Sequence, residues 1–141
     1  MPVVYVDAVM DLFHFGHVEY LKRVRAIADK GGSGTVIVGI HSDCDVESYK
    51  RKPVMAMHER IAVVSACKYV DKVVASAPLS VTASFVKTWG IDLVVHGGSL
   101  GPDLREKMYG EVDALGIYRE IEYTPGISTT DIIGRLKISN L

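Results

Sequence analysis

The chain reads as an α/β protein: a doubly wound parallel sheet flanked by helices. Three observations predict this. Short β-branched runs alternate with helical patterns along all 141 residues. The runs are apolar almost throughout, as strands covered on both faces require. Glycines close helical segments, at 31–34 and at Gly90. Strands alternating with helices imply parallel pairing, and right-handed crossovers place helices on both faces. In such sheets ligands bind beyond the carboxyl ends of the strands, where the strand order reverses.

The elements follow in order. "VVYVDAV" (3–9) is a buried strand and "DLFHFGH" (11–17) a turn. Residues 17–30 form a helix, with Val18, Leu21, Val24 and Ile27 at helical spacing. "TVIVGIHS" (35–42) is a second buried strand, followed by a basic loop and a helix over 57–70. "DKVVAS" (71–76) is a short strand, and 80–90 a helix. "IDLVVHGG" (91–98) is a fourth strand, 102–116 a helix, 117–123 extended, and 128–139 a helix with an N-cap signature. The sequence shows no repeat, low-complexity run or linker, so the expectation is a single domain over 1–141.

Composition narrows the function. With 48% hydrophobic residues, 23% charged and a formal net charge of −1, nothing draws the whole chain to nucleic acid or an anionic membrane. No apolar stretch approaches the roughly 20 residues of a spanning helix. The opening "MPVVYVDAVM" lacks the basic front end of a signal peptide. Cys44 and Cys67 form neither a CxxC nor a disulfide framework, which suits free thiols in a reducing cytoplasm.

Chemistry is expected after the strands. Behind the first come Asp11, His14, Gly16 and His17, with His17 opening a helix whose N-terminus is an anion site. Two imidazoles add donors for phosphate oxygens, and Gly16 would let a ligand reach the backbone. Zinc would need a third ligand, and its helical motif spaces histidines four apart beside a Glu, so no metal ligands are assigned. Lys50, Arg51 and Lys52 form a dense basic run behind the second strand, and Arg60 follows on a helix. Behind the fourth, His96, Gly97 and Gly98 offer backbone that a planar ligand could approach. Ser128, Thr129 and Thr130 follow a Pro-Gly turn at a helix start. One hydroxyl would be an ordinary cap, whereas three could also hold a polyphosphate. No lysine follows as a P-loop demands, and no serine or cysteine has the setting of a nucleophile. Direct transfer on a phosphate is the reaction class these features favour.

"DLFHFGH" resembles the HxGH signature of the nucleotidyltransferase superfamily, and "GISTTDII" resembles the C-terminal signature of its cytidylyltransferase branch. "VGIHSD", "MHER", "ACKYVDKVV", "IDLVVHG" and "GIYREIEYTPGISTTDIIGRL" extend the likeness along nearly the whole chain, with the ethanolamine-phosphate cytidylyltransferases most alike. The resemblance implies a Rossmann-like catalytic domain over 1–141 that joins CTP to a phosphorylated alcohol. The products would be a CDP-alcohol for phospholipid synthesis and pyrophosphate, with Mg²⁺ accompanying CTP. It also implies a cytoplasmic homodimer with neither nucleic acid nor integral membrane association.

By position, the resemblance makes His14 and His17 the groups that stabilise the α-phosphate, with Lys50, Arg51 and Arg60 neutralising phosphates. Ser128, Thr129 and Thr130 would hold the triphosphate. Val9, Met10, His96, Gly97, Thr124, Gly126 and Ile127 would line the nucleotide pocket. Asp11, Lys50 and Leu79 would meet the acceptor, Asp11 facing it or orienting the histidines. The chain departs from the family pattern at Ala8, at Leu79 in place of an aromatic, at Gly98-Ser99 and at Tyr123 in place of an arginine. Ethanolamine phosphate is the acceptor this likeness favours. Glycerol-3-phosphate and choline-phosphate transfer stay open, as do adenylyl or sugar-phosphate transfer and a non-catalytic nucleotide-binding role.

Overall fold

A computed structural model describes residues 1–139. Its elements run β1 (Val3–Ala8), α1 (Phe15–Ala28), β2 (Thr35–Ile40), α2 (Asp43–Glu47) and α3 (Met57–Ser65). Then come β3 (Lys72–Val74), α4 (Ala83–Trp89), β4 (Leu93–Gly97), α5 (Pro102–Ala114), β5 (Tyr118–Ile121) and α6 (Thr129–Ile138). The strands form one sheet in the order β3-β2-β1-β4-β5, every pair parallel. The doubly wound α/β architecture is the one the alternation predicts. β1 lies at the centre, with Val6 opposite Val38 on one side and Val95 on the other.

The two-residue period of β1 divides its side chains between two cores. Val4 and Val6 join Leu21, Val24, Val36, Val38 and Val64 on the face covered by α1 and α3. Tyr5 joins Ile37, Val86, Val94, Tyr109 and Val112 on the face covered by α4 and α5. Asp7, two residues beyond Tyr5, brings a carboxylate to the edge of that second core.

Three differences from the sequence reading matter. The stretch expected as a loop after β2 holds α2, nucleated where the Ser42 hydroxyl accepts from the Asp45 amide at 3.1 Å. The helix expected over 57–70 ends at Ser65, and Cys67–Val70 forms a tight turn instead. Helix α1 starts at Phe15, two residues earlier than expected, so His14 is its N-cap and His17 its third residue. That shift builds the site.

Candidate active site

The strand order reverses between β1 and β4, and there a cleft of about 1050 Å³ opens at the carboxyl ends of the strands. The β1–α1 turn contributes Val9, Met10, Asp11, His14 and His17. The loop after α2 contributes Lys50 and Arg51, and Leu79 stands on the approach to α4. His96 and Gly97 end β4, while Thr124, Ile127, Ser128, Thr129 and Thr130 lead into α6.

The histidine spacing has a local cause. His14 Nδ1 accepts from the Gly16 amide at 3.0 Å, and the His14 amide donates to His17 Nδ1 at 3.1 Å. This is a reciprocal cap of the kind Ser-x-x-Glu makes, built from two imidazoles. Each Nδ1 is an acceptor, so each neutral ring carries its proton on Nε2. Both Nε2–H groups are then left as donors at the cleft, beside the free amides of α1. Burial, the neighbouring His14 and Lys50 push the His17 pKa down to about 4, against the raising effect of Asp11. Burial and Arg135 lower that of His14. At neutral pH the pair therefore acts as neutral donors, not cations.

Against the histidine turn stands the N-terminus of α6. The Ser128 hydroxyl accepts from the Asp131 amide at 3.1 Å, so it serves as the helix cap. Thr129 Oγ1 donates to the Asp11 carbonyl at 3.0 Å and lies 3.5 Å from His14 Nε2. Of the expected trio of ligand-ready hydroxyls, Thr129 thus spends its proton on the protein's own backbone, while Ser128, as an acceptor, keeps its O–H donor. Lys50 and Arg51 are exposed on the third wall. Partial desolvation of its ammonium against the cleft, then Arg51, lowers the Lys50 pKa.

Several expectations require correction. Arg60 is absent from the cleft lining and is 0% exposed. Its Nε donates to the Met55 carbonyl at 3.1 Å, Nη1 to Val9 at 2.7 Å, and Nη2 to His41 at 2.9 Å and to the Asp43 carboxylate at 2.7 Å. A guanidinium so committed ties the ends of β1 and β2 to α2, and has no fork left for a phosphate. Asp11 lines the cleft, but its carboxylate accepts the amides of Leu12, Val54 and Met55 at 2.8–3.1 Å. It positions the chain behind the basic run, and its charge is already engaged.

Gly16 lines the cleft and also lets protein pack closely. A Cβ there would stand 2.8 Å from Ile127 Cγ2 and 2.9 Å from His14 Cε1. At Gly97 a Cβ would stand 2.8 Å from the Tyr123 ring, so Tyr123 occupies the backbone surface expected for a planar ligand. Tyr123 is still 62% exposed and lines the cleft. Gly126 stays outside the lining and makes the turn before α6 with φ 80°. Thr124 accepts from Arg23 at 3.2 Å and donates to the Gly16 carbonyl at 3.4 Å.

The structure adds residues that pattern reading missed. Asp7, His41 and Tyr109 also line the cleft. The Tyr109 hydroxyl donates to Asp7 Oδ1, and His41 Nε2 lies 3.2 Å from Asp7 Oδ2. Burial, then Asp7, raises the Tyr109 pKa, which keeps its hydroxyl a donor. The signal available in the sequence was an aspartate inside the apolar run "VVYVDAV". A carboxylate is buried only at a cost, and usually for a reason. As for metals, no group of three His, Cys, Asp or Glu side chains gathers among the described residues. With Asp11 engaged, these residues do not fit a protein-built Mg²⁺ cage. Among the described residues, no helix is long and apolar enough to cross a membrane.

Comparison with known proteins places this geometry in context. A family described as cytidylyltransferase-like matches residues 5–135. The ethanolamine-phosphate cytidylyltransferase of Dictyostelium discoideum is 41% identical over 95% of this chain and 37% of its own length. The human choline-phosphate cytidylyltransferase A is 36% identical over 94% of this chain and 36% of its own length. The chain thus spans under two fifths of either relative. A lipopolysaccharide core biosynthesis protein from Thermoplasma volcanium shares the fold, with a TM-score of 0.68 at 22% identity over 88% of this chain and 97% of its own.

Proposed function

The chain belongs to the cytidylyltransferase-like family, and on that premise we propose that it transfers CMP from CTP to ethanolamine phosphate. An oxygen of the acceptor phosphate attacks the α-phosphorus, the bond to the β-phosphate oxygen breaks, and pyrophosphate leaves with the electron pair. CDP-ethanolamine, a phospholipid precursor, is the product. The observation that carries this reading is the reciprocal cap of His14 and His17, which holds two neutral Nε2–H donors and a helix N-terminus at one point of the cleft. Donors preset where phosphate charge builds up lower the barrier without reorganising. Lys50 and Arg51 neutralise the phosphates from one wall, and Thr130 with the α6 amides receives the triphosphate from another. Val9, Met10, His96, Ile127 and Tyr123 enclose the nucleotide.

The acceptor's ammonium belongs on the other side, where Asp7 supplies a buried carboxylate between Tyr109 and His41. Leu79 offers no aromatic face, so a cage for a quaternary ammonium lacks one wall. We place Mg²⁺ on the triphosphate, held by its own oxygens and water as this ion prefers, where it would offset phosphate charge. The homodimer and the cytoplasmic setting belong to the same reading and rest on family likeness alone. Solution mass at micromolar concentration checks the dimer, and a monomer would remove it.

Pyrophosphate release tests the activity, with CTP or ATP against ethanolamine phosphate, choline phosphate and glycerol 3-phosphate. Release with CTP, fastest on ethanolamine phosphate, is the expected result. Binding of CTP with no release on any acceptor would instead identify a nucleotide-binding domain without catalysis.

A further inference from the structure

We infer that His41 selects the acceptor, its Nδ1 accepting a hydrogen bond from a primary ammonium that an N-methylated acceptor cannot supply. This rests on the acceptor placement proposed above. His41 follows β2, lines the cleft and is 3% exposed. Its backbone is pinned at both ends: the amide donates to Ala8 at 3.2 Å, and the carbonyl accepts from Arg60 at 2.9 Å. Its Nε2 faces the Asp7 carboxylate, so the ring proton lies there and Nδ1 carries a lone pair. Yet Nδ1 is buried without any partner among the described residues. Buried polar atoms are nearly always paired, and an exception calls for a missing partner.

The chemistry of that partner is restricted. It must donate a hydrogen bond, and it must tolerate Asp7, the anionic group beside the ring. A primary ammonium meets both conditions: one N–H donates to His41 Nδ1, while Asp7, on the opposite ring nitrogen, makes that lone pair a better acceptor and supplies the favourable charge. A trimethylammonium satisfies the charge and leaves Nδ1 unpaired. Polar groups left unpaired by a wrong substrate discriminate far better than a difference in apolar bulk. Preference should therefore fall stepwise as methyl groups replace protons, and His41 should be the source of part of it.

Two substitutions separate the ring nitrogens. In His41→Asn the amide reaches about where Nδ1 stands, keeping an acceptor there and losing the Asp7 contact. In His41→Gln the amide reaches about where Nε2 stands, keeping the Asp7 contact and losing the acceptor. The measurement is kcat/KM at saturating MgCTP for ethanolamine phosphate, its mono- and dimethyl forms and choline phosphate. His41→Gln should lose about tenfold on ethanolamine phosphate, mostly in KM, and little on choline phosphate. His41→Asn should keep the wild-type ratio between these acceptors. Equal losses on all four acceptors in His41→Gln, or a narrowed ratio in His41→Asn alone, would overturn the role.

A readout on the unaltered protein guards against misfolded variants. The ¹⁵N resonance of His41 Nδ1 should move on adding ethanolamine phosphate with CMP, and not on adding choline phosphate. No movement with either overturns the inference even if transfer proceeds. If the wild-type protein transfers to some other alcohol and never to ethanolamine phosphate, the acceptor placement itself fails. That result is distinct from a failure of His41 alone.

Discussion

Thr129 Oγ1 donates to the Asp11 carbonyl at 3.0 Å while standing 3.5 Å from His14 Nε2. The hydroxyl spends its proton on Asp11, so only its lone pairs face the histidine, and His14 Nε2–H is the donor in that contact, which at 3.5 Å is long enough to leave the same N–H able to donate to a phosphate oxygen. Helix α6 therefore braces the ring whose Nδ1 already caps α1. Thr129→Val keeps the shape and removes the oxygen. A single neutral hydrogen bond contributes about 0.5–1.5 kcal/mol, so kcat should fall roughly 2- to 12-fold. CTP affinity should change less, and Thr129→Ser should restore the rate. Calorimetric binding alongside steady-state kinetics checks this, and a loss confined to CTP affinity would return the hydroxyl to the triphosphate.

In the proposed reaction His14→Ala and His17→Ala each remove a donor to the α-phosphate, and each deletes one half of the reciprocal cap. Loss of a preset donor costs about 100- to 1000-fold in rate. Loss of a cap costs about 0.5–2 kcal/mol in stability. Each variant should therefore stay folded in urea titrations while kcat drops by two orders of magnitude or more. Near wild-type turnover in either folded variant would remove that histidine from the chemistry.

The alternation of strands and helices was legible because burial on both faces of a parallel sheet makes each strand a near-continuous apolar run, set between segments of helical period. The histidine pair was legible as well, although its spacing has a further cause, the distance from a helix N-cap to its third residue. Arg60 was not legible. A basic residue near a basic run looks the same in sequence whether its guanidinium faces solvent, ligand or carbonyls. Only the folded ends of β1 and β2 show that the carbonyls of Val9 and His41 converge on it. Gly16 was ambiguous for a related reason: a missing side chain signals a close approach, but not everything that approaches. Asp7 stood in plain view within an apolar strand, yet the tyrosine that meets it comes from α5, 102 residues on.

Arg60 yields a stability prediction opposite to that of a phosphate ligand. Removing it leaves three carbonyls and the Asp43 carboxylate without their donor. The Asp43 carboxylate is 37% exposed and re-solvates, but an acceptor left buried without its donor costs about 1–3 kcal/mol, a large share of the 5–15 kcal/mol that stabilises a typical domain. Arg60→Met should therefore lower the midpoint of denaturant unfolding sharply even without nucleotide. Arg60→Lys should recover only part, since one ammonium cannot replace a fork bonded in four directions. Unchanged stability with weakened CTP binding would restore Arg60 to the site.

The His17 pKa makes a separate prediction about pH. Burial holds it near about 4 in the folded chain, whereas an unfolded histidine titrates near 6.5. Between those values the unfolded chain binds the extra proton, so protonation pulls the equilibrium toward unfolding. The resulting stability is fully present above about pH 6.5 and is lost as pH falls toward 4, at no more than about 1.4 kcal/mol per pH unit. His17→Gln is the fitting control, because glutamine is a customary residue at this position of a capping box and does not titrate. Urea unfolding of both proteins from pH 8 to 4.5 should show wild type losing stability faster than His17→Gln below about pH 6.5. Above that point the two curves should run parallel. Groups common to both proteins, the carboxylates and His14 included, largely cancel in the difference. A difference that stays constant through the acid range would mean that His17 titrates normally in the folded chain, and the neutral-donor role would lose its basis.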